Sequence, residues 1–274
     1  MSTLSAEKED SDSRENSVGC DELKPGVVAE NLVKVFKGPK RKEVRAVDSV
    51  GFKAYFGEVY GLLGINGAGK TTVLRILSTM LTPTAGKASI CGHDVKKEPR
   101  RVRSRIGFMS TATSLYGRLT AREMVTYFGR LNGMKGDAIE KRIKELFDLF
   151  QMHEFADRRC DKLSTGMKQK VSIVRTVLHD PEVLMLDEPT AGLDVLTSRT
   201  IVDFVRDCRK RNKCVIFSTH IMEEVEKLCD RVGVIHQGRL LADEPLETLL
   251  DRSKTKRVED VFVSLVKDGG KEAA

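Results

Sequence analysis

The hydrophobic and polar positions near the start of the chain predict strands that lead into a helix. Residues 27–36 and 46–52 are β-prone, and the basic stretch 37–42 between them contains a glycine and a proline, so these segments predict a hairpin. Residues 58–63 form a short apolar run, which predicts a third strand. A glycine-rich loop follows at once, and we predict a helix from about residue 70 to residue 82, ended by a proline and a glycine.

The pattern becomes helical between about residues 120 and 154. Large apolar residues repeat there at intervals that place them on one face of an amphipathic helix, namely Ile139, Ile143, Leu146, Phe147 and Phe150. Two buried strands are predicted at residues 183–186 and 214–218, each after a helix-like segment. Because strands alternate with helices, we expect an α/β fold with a mostly parallel sheet and a helical insertion.

The first 26 residues differ in composition from the rest, being rich in Ser, Glu and Asp. Such a segment cannot bury enough apolar surface to offset the entropy lost on ordering. We therefore predict a disordered tail over residues 1–26 and a folded domain over residues 27–274.

Composition and charge narrow the class of protein. Of the 274 residues, 40% are hydrophobic and 32% are charged, which fits a folded protein with a core. The longest stretch without a charged residue is residues 106–117, whereas a membrane-spanning helix needs about 20 apolar residues, so we expect no membrane span. The six cysteines form no C-x-x-C pair, which favours reduced thiols in the cytosol. The net charge of +7 includes basic clusters at residues 40–42 and 96–105, which we interpret as solvated faces, without a nucleic-acid partner.

Residues 64–71, GINGAGKT, match the phosphate-binding pattern G-x-x-x-x-G-K-[ST]. The match lies between a predicted strand and a predicted helix, where backbone N–H groups and a helix N-terminus can surround phosphate. Lys70 would reach the β- and γ-phosphates, and the Thr71 hydroxyl would bind Mg²⁺. The candidate nucleotide-binding residues here are Asn66, Gly67, Gly69, Lys70, Thr71 and Thr72. Nucleotide kinases, small GTPases and many ATPases share such a loop, so it does not choose among them.

Residues 183–187 predict an apolar strand that ends in adjacent acids, Asp187 and Glu188, before Pro189. Two acids at such a place are costly unless a metal ion, hydrogen bonds or water receive them. Asp187 is the candidate for holding Mg²⁺ through its water shell, and Glu188 is the candidate general base for the attacking water. A plain turn leaving a strand is the alternative, which the phosphate loop upstream disfavours.

Three further stretches resemble the ATPases of ABC transporters. Residues 163–167, LSTGM, resemble the LSGGQ signature of that family, residues 191–194, AGLD, resemble its D-loop, and His220 resembles its switch histidine. Together with the phosphate loop and the acid pair, these stretches occur in the family's order, and the resemblance covers roughly residues 27–250. The resemblance implies a P-loop NTPase (RecA-like) core with a mostly parallel sheet, an antiparallel β subdomain and an inserted helical subdomain at about residues 112–165.

The same resemblance implies a mechanism. Two ATP-binding domains would close head to tail over two ATP molecules, with Ser164 and Gly166 of one subunit completing the site of the other. His220 would contact the γ-phosphate and hold Glu188 and the water in line.

Phe36 is the candidate for stacking on adenine, although core packing also suits a ring in a strand. The implied cofactors are ATP and Mg²⁺. The implied partners are a second ATP-binding domain and a transmembrane permease, with the chain cytoplasmic, at the inner face of the cell membrane.

Two short stretches narrow the resemblance, and one residue departs from it. Residues 163–170 and 106–120 resemble the sodium-efflux subgroup of exporter subunits, the NatA type, which implies export and suggests sodium as cargo. Thr111 stands where the family usually has a Gln, in the loop that joins the catalytic core to the helical subdomain. A threonine side chain is shorter than that of glutamine, so we expect a weaker link to the metal and the attacking water; the alternative is that Thr111 is an ordinary loop residue and a neighbouring group or water fills this role.

Three functions are compatible with these motifs. We favour an ATP-hydrolysing subunit of an ABC exporter with separate membrane subunits. The second is a soluble ABC ATPase acting on ribosomes, DNA or iron–sulfur assembly, although this chain has neither the paired cassettes of the translation factors nor the coiled coils of the repair relatives. The third is a regulatory nucleotide binder without hydrolysis, which the complete set of candidate catalytic residues disfavours.

Overall fold

The computed structural model describes residues 24–37, 43–110, 114–253 and 257–269, which form two sheets with helices packed around them. The strands are β1 (Pro25–Lys37), β2 (Glu43–Tyr55), β3 (Val59–Leu63), β4 (Ala85–Ile90), β5 (His93–Asp94), β6 (Ile106–Met109), β7 (Val183–Asp187), β8 (Cys214–Thr219), β9 (Arg231–His236) and β10 (Arg239–Pro245). The helices are α1 (Lys70–Leu77), α2 (Pro99–Arg105), α3 (Ala121–Leu131), α4 (Gly136–Phe150), α5 (Thr165–Val177), α6 (Val195–Lys210), α7 (Met222–Leu228), α8 (Leu246–Arg252) and α9 (Val258–Gly269). Within these ranges no helix combines the length and the apolar character that crossing a membrane requires.

The larger sheet has the strand order β10-β9-β3-β8-β7-β6. Neighbours are parallel from β9 through β6, and only β10 runs antiparallel to its neighbour β9. Every residue of β3, β7 and β8 is buried, as expected for central strands that helices and a second sheet cover on both faces. The predicted mostly parallel α/β sheet is therefore confirmed.

Alternate residues of the central strands point into two separate hydrophobic cores. On β7, Leu184 and Leu186 belong to the core that helices α3 to α7 share. Val183 and Met185 belong to the core that α1 shares with the smaller sheet. The strand is fixed from both sides, so the polar residues at its carboxyl end are held in a defined position.

The smaller sheet is antiparallel, with the order β2-β1-β4-β5. The pairing of β1 with β2 agrees with the predicted hairpin, although most of its predicted turn, residues 38–42, lies outside the described residues. The predicted tail likewise lies outside them up to residue 23, and β1 begins at Pro25.

The predicted helical stretch 120–154 contains two helices, α3 and α4. Gly133, with a φ of +76°, lies between the end of α3 and the start of α4, and a left-handed backbone cannot continue a right-handed helix. The five apolar residues predicted for one face are the buried residues of α4, so that prediction is confirmed.

Helix α1 ends earlier than predicted, at Leu77 instead of residue 82. Thr79 has a φ of +66°, and the N–H groups of Met80 and Leu81 both donate to the carbonyl of Arg75, which closes the helix before Pro83. Strands β4, β5, β6, β9 and β10 were not predicted.

Candidate active site

The phosphate loop follows β3 and leads into α1, as predicted. Gly69 has a φ of +113°, and a Cβ atom there would lie 2.6 Å from the carbonyl oxygen of Ala46. Only glycine therefore fits this position. The loop borders a cavity of about 170 Å³ whose lining includes all six predicted loop residues and Glu188 (the lining is Ala46, Ile65, Asn66, Gly67, Ala68, Gly69, Lys70, Thr71, Thr72 and Glu188).

The side chain of Lys70 points into this loop. Its Nζ atom donates to the carbonyl oxygens of Gly64 at 2.6 Å and Ile65 at 3.2 Å, and it lies 3.1 Å from Oε1 of Glu188. The side chain is only 4% exposed, so these three oxygens compensate its charge in place of water. Phosphate oxygens could replace these three oxygens around Lys70, because they also carry negative charge.

Asp187 is fully buried and meets two hydroxyl groups. The Thr71 hydroxyl donates to Oδ2 at 2.9 Å, and the Ser218 hydroxyl donates to Oδ1 at 2.8 Å. A hydroxyl and a carboxylate at this distance supply the hard oxygen ligands that Mg²⁺ prefers, together with water and phosphate. The residues present therefore fit a magnesium ion.

Glu188 and His220 come from the ends of the neighbouring strands β7 and β8. Nδ1 of His220 lies 3.3 Å from Oε1 of Glu188, the same oxygen that faces Lys70, although the two groups are not aligned for a hydrogen bond. Glu188 also has a φ of +48°, an uncommon conformation for a residue with a Cβ atom. The candidate base, histidine and lysine are thus brought together at one point.

The signature residues do not join this group within the same chain. Ser164 is the N-cap of α5, where its hydroxyl oxygen accepts from the N–H of Met167 at 3.3 Å and its proton stays available for donation. A Cβ atom on Gly166 would lie 3.7 Å from Oδ2 of Asp194, in the predicted D-loop. Neither Ser164 nor Gly166 lines the phosphate cavity of its own chain.

Asp194 has a structural role that the D-loop resemblance did not predict. It is the N-cap of α6, and its carboxylate accepts from the backbone N–H and the hydroxyl of Thr197. These hydrogen bonds lower the pKa of Asp194, the backbone N–H contributing most.

Two further residues that the sequence singled out are Phe36 and Thr111. Phe36 lies near the end of β1, 39% exposed, with Nζ of Lys34 5.3 Å from its ring centre. The ring is accessible from solvent, and its stacking on adenine stays a prediction. Thr111 lies outside the described residues.

Sequence reasoning missed several polar residues that support the site. The amide of Gln169, on the signature helix α5, donates to the carbonyl oxygen of Pro189 at 2.6 Å. Ser218 accepts from the N–H of Glu188 through both its carbonyl and its hydroxyl oxygen. The signal for Ser218 was present, because a hydroxyl residue at the carboxyl end of an apolar strand lies beside the acids of a parallel neighbour. The carboxylate of Glu224 joins two nearby loops, and no motif predicted it.

Comparison with known proteins agrees with this geometry. A protein-family model described as "ABC transporter" matches residues 47–191. The chain is 42% identical to the ABC transporter ATP-binding protein NatA of Bacillus subtilis (strain 168), over 82% of this chain and 92% of that protein. It is 40% identical to the Nod factor export ATP-binding protein I of Neorhizobium galegae, over 77% of this chain and 60% of that protein. It is 34% identical to the probable multidrug ABC transporter ATP-binding protein YbhF of Escherichia coli (strain K12), over 83% of this chain and 40% of that protein.

Solved structures give the same result. An ATP-binding subunit of an ABC transporter superposes with a TM-score of 0.79 at 26% identity, over 88% of this chain and 99% of that chain. An ATP-binding cassette solved as a dimer in a post-hydrolysis state, bound to ADP and Pi, gives a TM-score of 0.74 at 26% identity, over 80% of this chain and 98% of that chain.

Proposed function

The chain belongs to the ABC transporter family of ATP-binding subunits, and we propose that it works as one half of an ATP-clamped dimer that drives export through a separate membrane protein. The main support is that the candidate residues lie in two separate places on the chain. Lys70, Asp187 and Glu188 converge at one edge of the sheet, while Ser164 and Gly166 lie apart from that cavity. A second subunit placed head to tail would supply the missing signature.

The residues have distinct parts in hydrolysis. Lys70 exchanges its carbonyl and carboxylate contacts for phosphate oxygens, which frees Glu188 to accept a proton from water. His220, next to the same carboxylate, holds Glu188 and the γ-phosphate in line. Thr71 and Asp187 would hold Mg²⁺, which neutralises charge that develops on the phosphate oxygens.

A mixing experiment tests whether two subunits share each site. Lys70→Ala removes the lysine from a subunit's own cavity, and Gly166→Asp places a carboxylate beside Asp194 where phosphate would approach. Aspartate in the first turn of a helix is tolerated, so Gly166→Asp should fold. Each variant alone should be inactive. A mixed dimer keeps one complete site, and random pairing should restore about a quarter of the wild-type ATPase activity. A mixture as inactive as its components would contradict the shared site.

A groove beside β6 is the proposed docking surface for the membrane partner. It has a volume of about 240 Å³ and lies between this edge strand and helices α3 and α5; its lining is Ser78, Arg103, Ile106, Gly107, Phe108, Phe128, Asn132, Arg175, Thr176 and His179. The guanidinium of Arg175 lies 5.0 Å from the ring centre of Phe128, and burial lowers the pKa of Arg175. Among the described residues that line the groove none is acidic. We therefore propose that a partner helix with apolar side chains and a carboxylate docks here.

Pull-down from membranes distinguishes this function from the alternative. We expect the tagged chain to capture a multi-spanning membrane protein and to leave ribosomes and DNA behind. Recovery of ribosomes or DNA instead would favour a soluble ABC ATPase.

For the cargo we propose Na⁺ as the first candidate, from the resemblance of residues 163–170 to the sodium-efflux subgroup. Cells expressing the chain with its membrane partner should then lower their internal Na⁺ in an ATP-dependent manner.

A further inference from the structure

Glu224 lies outside the phosphate cavity, yet its carboxylate joins the two loops that carry Glu188 and His220. Oε1 of Glu224 accepts a hydrogen bond from the hydroxyl of Thr190, two residues after Glu188. Oε2 accepts from the hydroxyl of Thr219 at 2.6 Å, directly before His220. We propose that Glu224 is a positioning residue for ATP hydrolysis, which sets the separation of Glu188 and His220. This inference rests on the roles proposed above for those two residues.

The two loops need such a connection because the sheet stops pairing them. The ladder between β7 and β8 ends at the pair of Asp187 and Ser218. One further backbone contact, from the N–H of Glu188 to the carbonyl of Ser218 at 3.1 Å, follows it. Beyond that point the bridge through Glu224 connects the two chain segments. A carboxylate suits this task because it has one oxygen for each hydroxyl.

Both hydroxyl groups that Glu224 binds are buried. Thr190 is 5% exposed and Thr219 is 2% exposed, so neither hydroxyl can turn to water if the carboxylate is lost. The Thr219 oxygen also accepts from the N–H of Ile221 at 3.0 Å, which fixes its orientation. The uncommon left-handed backbone of Glu188 persists only where its surroundings hold it. Loosening this bridge should therefore allow Glu188 to move relative to His220.

Helix α7 supplies a matched control for this residue. Glu224 lies in its first turn, where the helix dipole favours a carboxylate. The neighbouring Glu223 has a side chain that is 77% exposed and pairs with Lys227 at 3.0 Å. The same substitution at Glu223 thus changes charge and helix propensity equally but leaves both loops untouched.

The test compares Glu224→Ala, Glu224→Gln and Glu223→Ala in single-turnover hydrolysis of Mg-ATP by the full chain, with ATP affinity measured separately. A displacement of about 1 Å in a catalytic group can cost up to about a hundredfold in rate, so we expect Glu224→Ala to lower the rate constant by about tenfold to a hundredfold. ATP affinity should stay within about twofold, because the bridge does not contact the phosphate loop. Glu224→Gln should be intermediate, since an amide can still span the two hydroxyls, and Glu223→Ala should match wild type.

Thr190→Val keeps the proposal testable if Glu224→Ala does not fold. This variant removes one end of the bridge, should lower the rate in the same way, and should add little further loss when combined with Glu224→Gln, because both act through one carboxylate. A rate for Glu224→Ala or Thr190→Val equal to that of Glu223→Ala would overturn the proposal. So would a parallel loss of ATP affinity, which would indicate a damaged fold. Normal hydrolysis by Glu188→Gln would instead refute the role of the base, independently of whether Glu224 controls the rate.

Discussion

A single carboxylate oxygen of Glu188 faces both the ammonium of Lys70 and the imidazole of His220, at 3.1 and 3.3 Å. This arrangement gives one acid two partners, and we propose that it uses them in succession. While Lys70 holds the oxygen, Glu188 neutralises a buried positive charge. We propose that, once phosphate binds the lysine, the same oxygen lies beside the imidazole and orients water.

Replacing Glu188 with Gln separates these two roles. An amide oxygen can still accept from Lys70, so ATP binding should remain, but an amide cannot take a proton from water. We expect hydrolysis to slow by about two orders of magnitude, as loss of a general base usually causes. The variant should accumulate as an ATP-bound dimer on gel filtration. Glu140→Gln, at a side chain that is 64% exposed, is the control, and turnover of Glu188→Gln equal to that control would rule out Glu188 as the base.

At the scale of single residues, the sequence predicted the residues that line the phosphate-loop cavity but not the residues that support them. The phosphate loop could be read because its residues are contiguous and their spacing is fixed by the chemistry. Ser218 and Glu224 act from other segments, and their contacts depend on the register that pairs Asp187 with Ser218. The apolar strand before Ser218 gave a signal for that residue, whereas no short pattern in the sequence predicts the contacts of Glu224.

At the scale of elements, α3 shows how a local signal sets a helix start. The Thr120 side chain accepts from the N–H of Glu123 at 3.2 Å, and the Glu123 carboxylate accepts from the N–H of Thr120 at 2.8 Å. This reciprocal capping box satisfies two donors that the first helical turn leaves free. Helix α3 then packs against α5, the helix that begins with the signature.

Removing this cap should have a measurable cost. We expect Thr120→Ala to lower the free energy of unfolding by about 1 kcal/mol, because the alanine cannot accept the hydrogen bond from Glu123. Thr126→Ala, inside the same helix, should leave stability unchanged or raise it, since alanine is the better helix former. Urea unfolding of both variants checks this. A larger loss from Thr126→Ala than from Thr120→Ala would show that the cap is not the cause.

The elements also show where pattern reading fails. Strands β3, β7 and β8 were predicted because they are continuous apolar runs at the centre of the sheet. The sheet's edge strand β6 has only four residues, and β10 is mostly half-buried, so neither gives a distinct periodicity. Helix α1 was predicted too long because the left-handed turn at Thr79 depends on carbonyl contacts with Arg75, whereas Pro83 gave a clearer but later stop signal.

At the scale of the whole molecule, the groove shares α5 with the signature and borders the sheet whose carboxyl edge carries the candidate catalytic residues. Helix α5 starts at the signature and, near its end, places Arg175 in the groove. Strand β6 pairs with β7, whose last residue is Asp187, and carries Phe108 into the same groove. A partner bound in the groove would therefore contact both the helical part and the sheet.

The charge of the groove gives the last prediction. Arg103 lies on α2 and lines the groove, whereas Arg100, on the same helix and also exposed, does not line it. If the docking segment carries a carboxylate, Arg103→Glu should weaken binding of the membrane partner by about tenfold, and the difference should shrink at high salt, because the contact is electrostatic and near the rim. Arg100→Glu makes the same change of net charge and should bind like wild type. Co-purification with the membrane partner at low and high salt measures both. Equal weakening by the two variants would indicate a general charge effect, and no weakening by Arg103→Glu would exclude this groove as the acidic segment's docking surface.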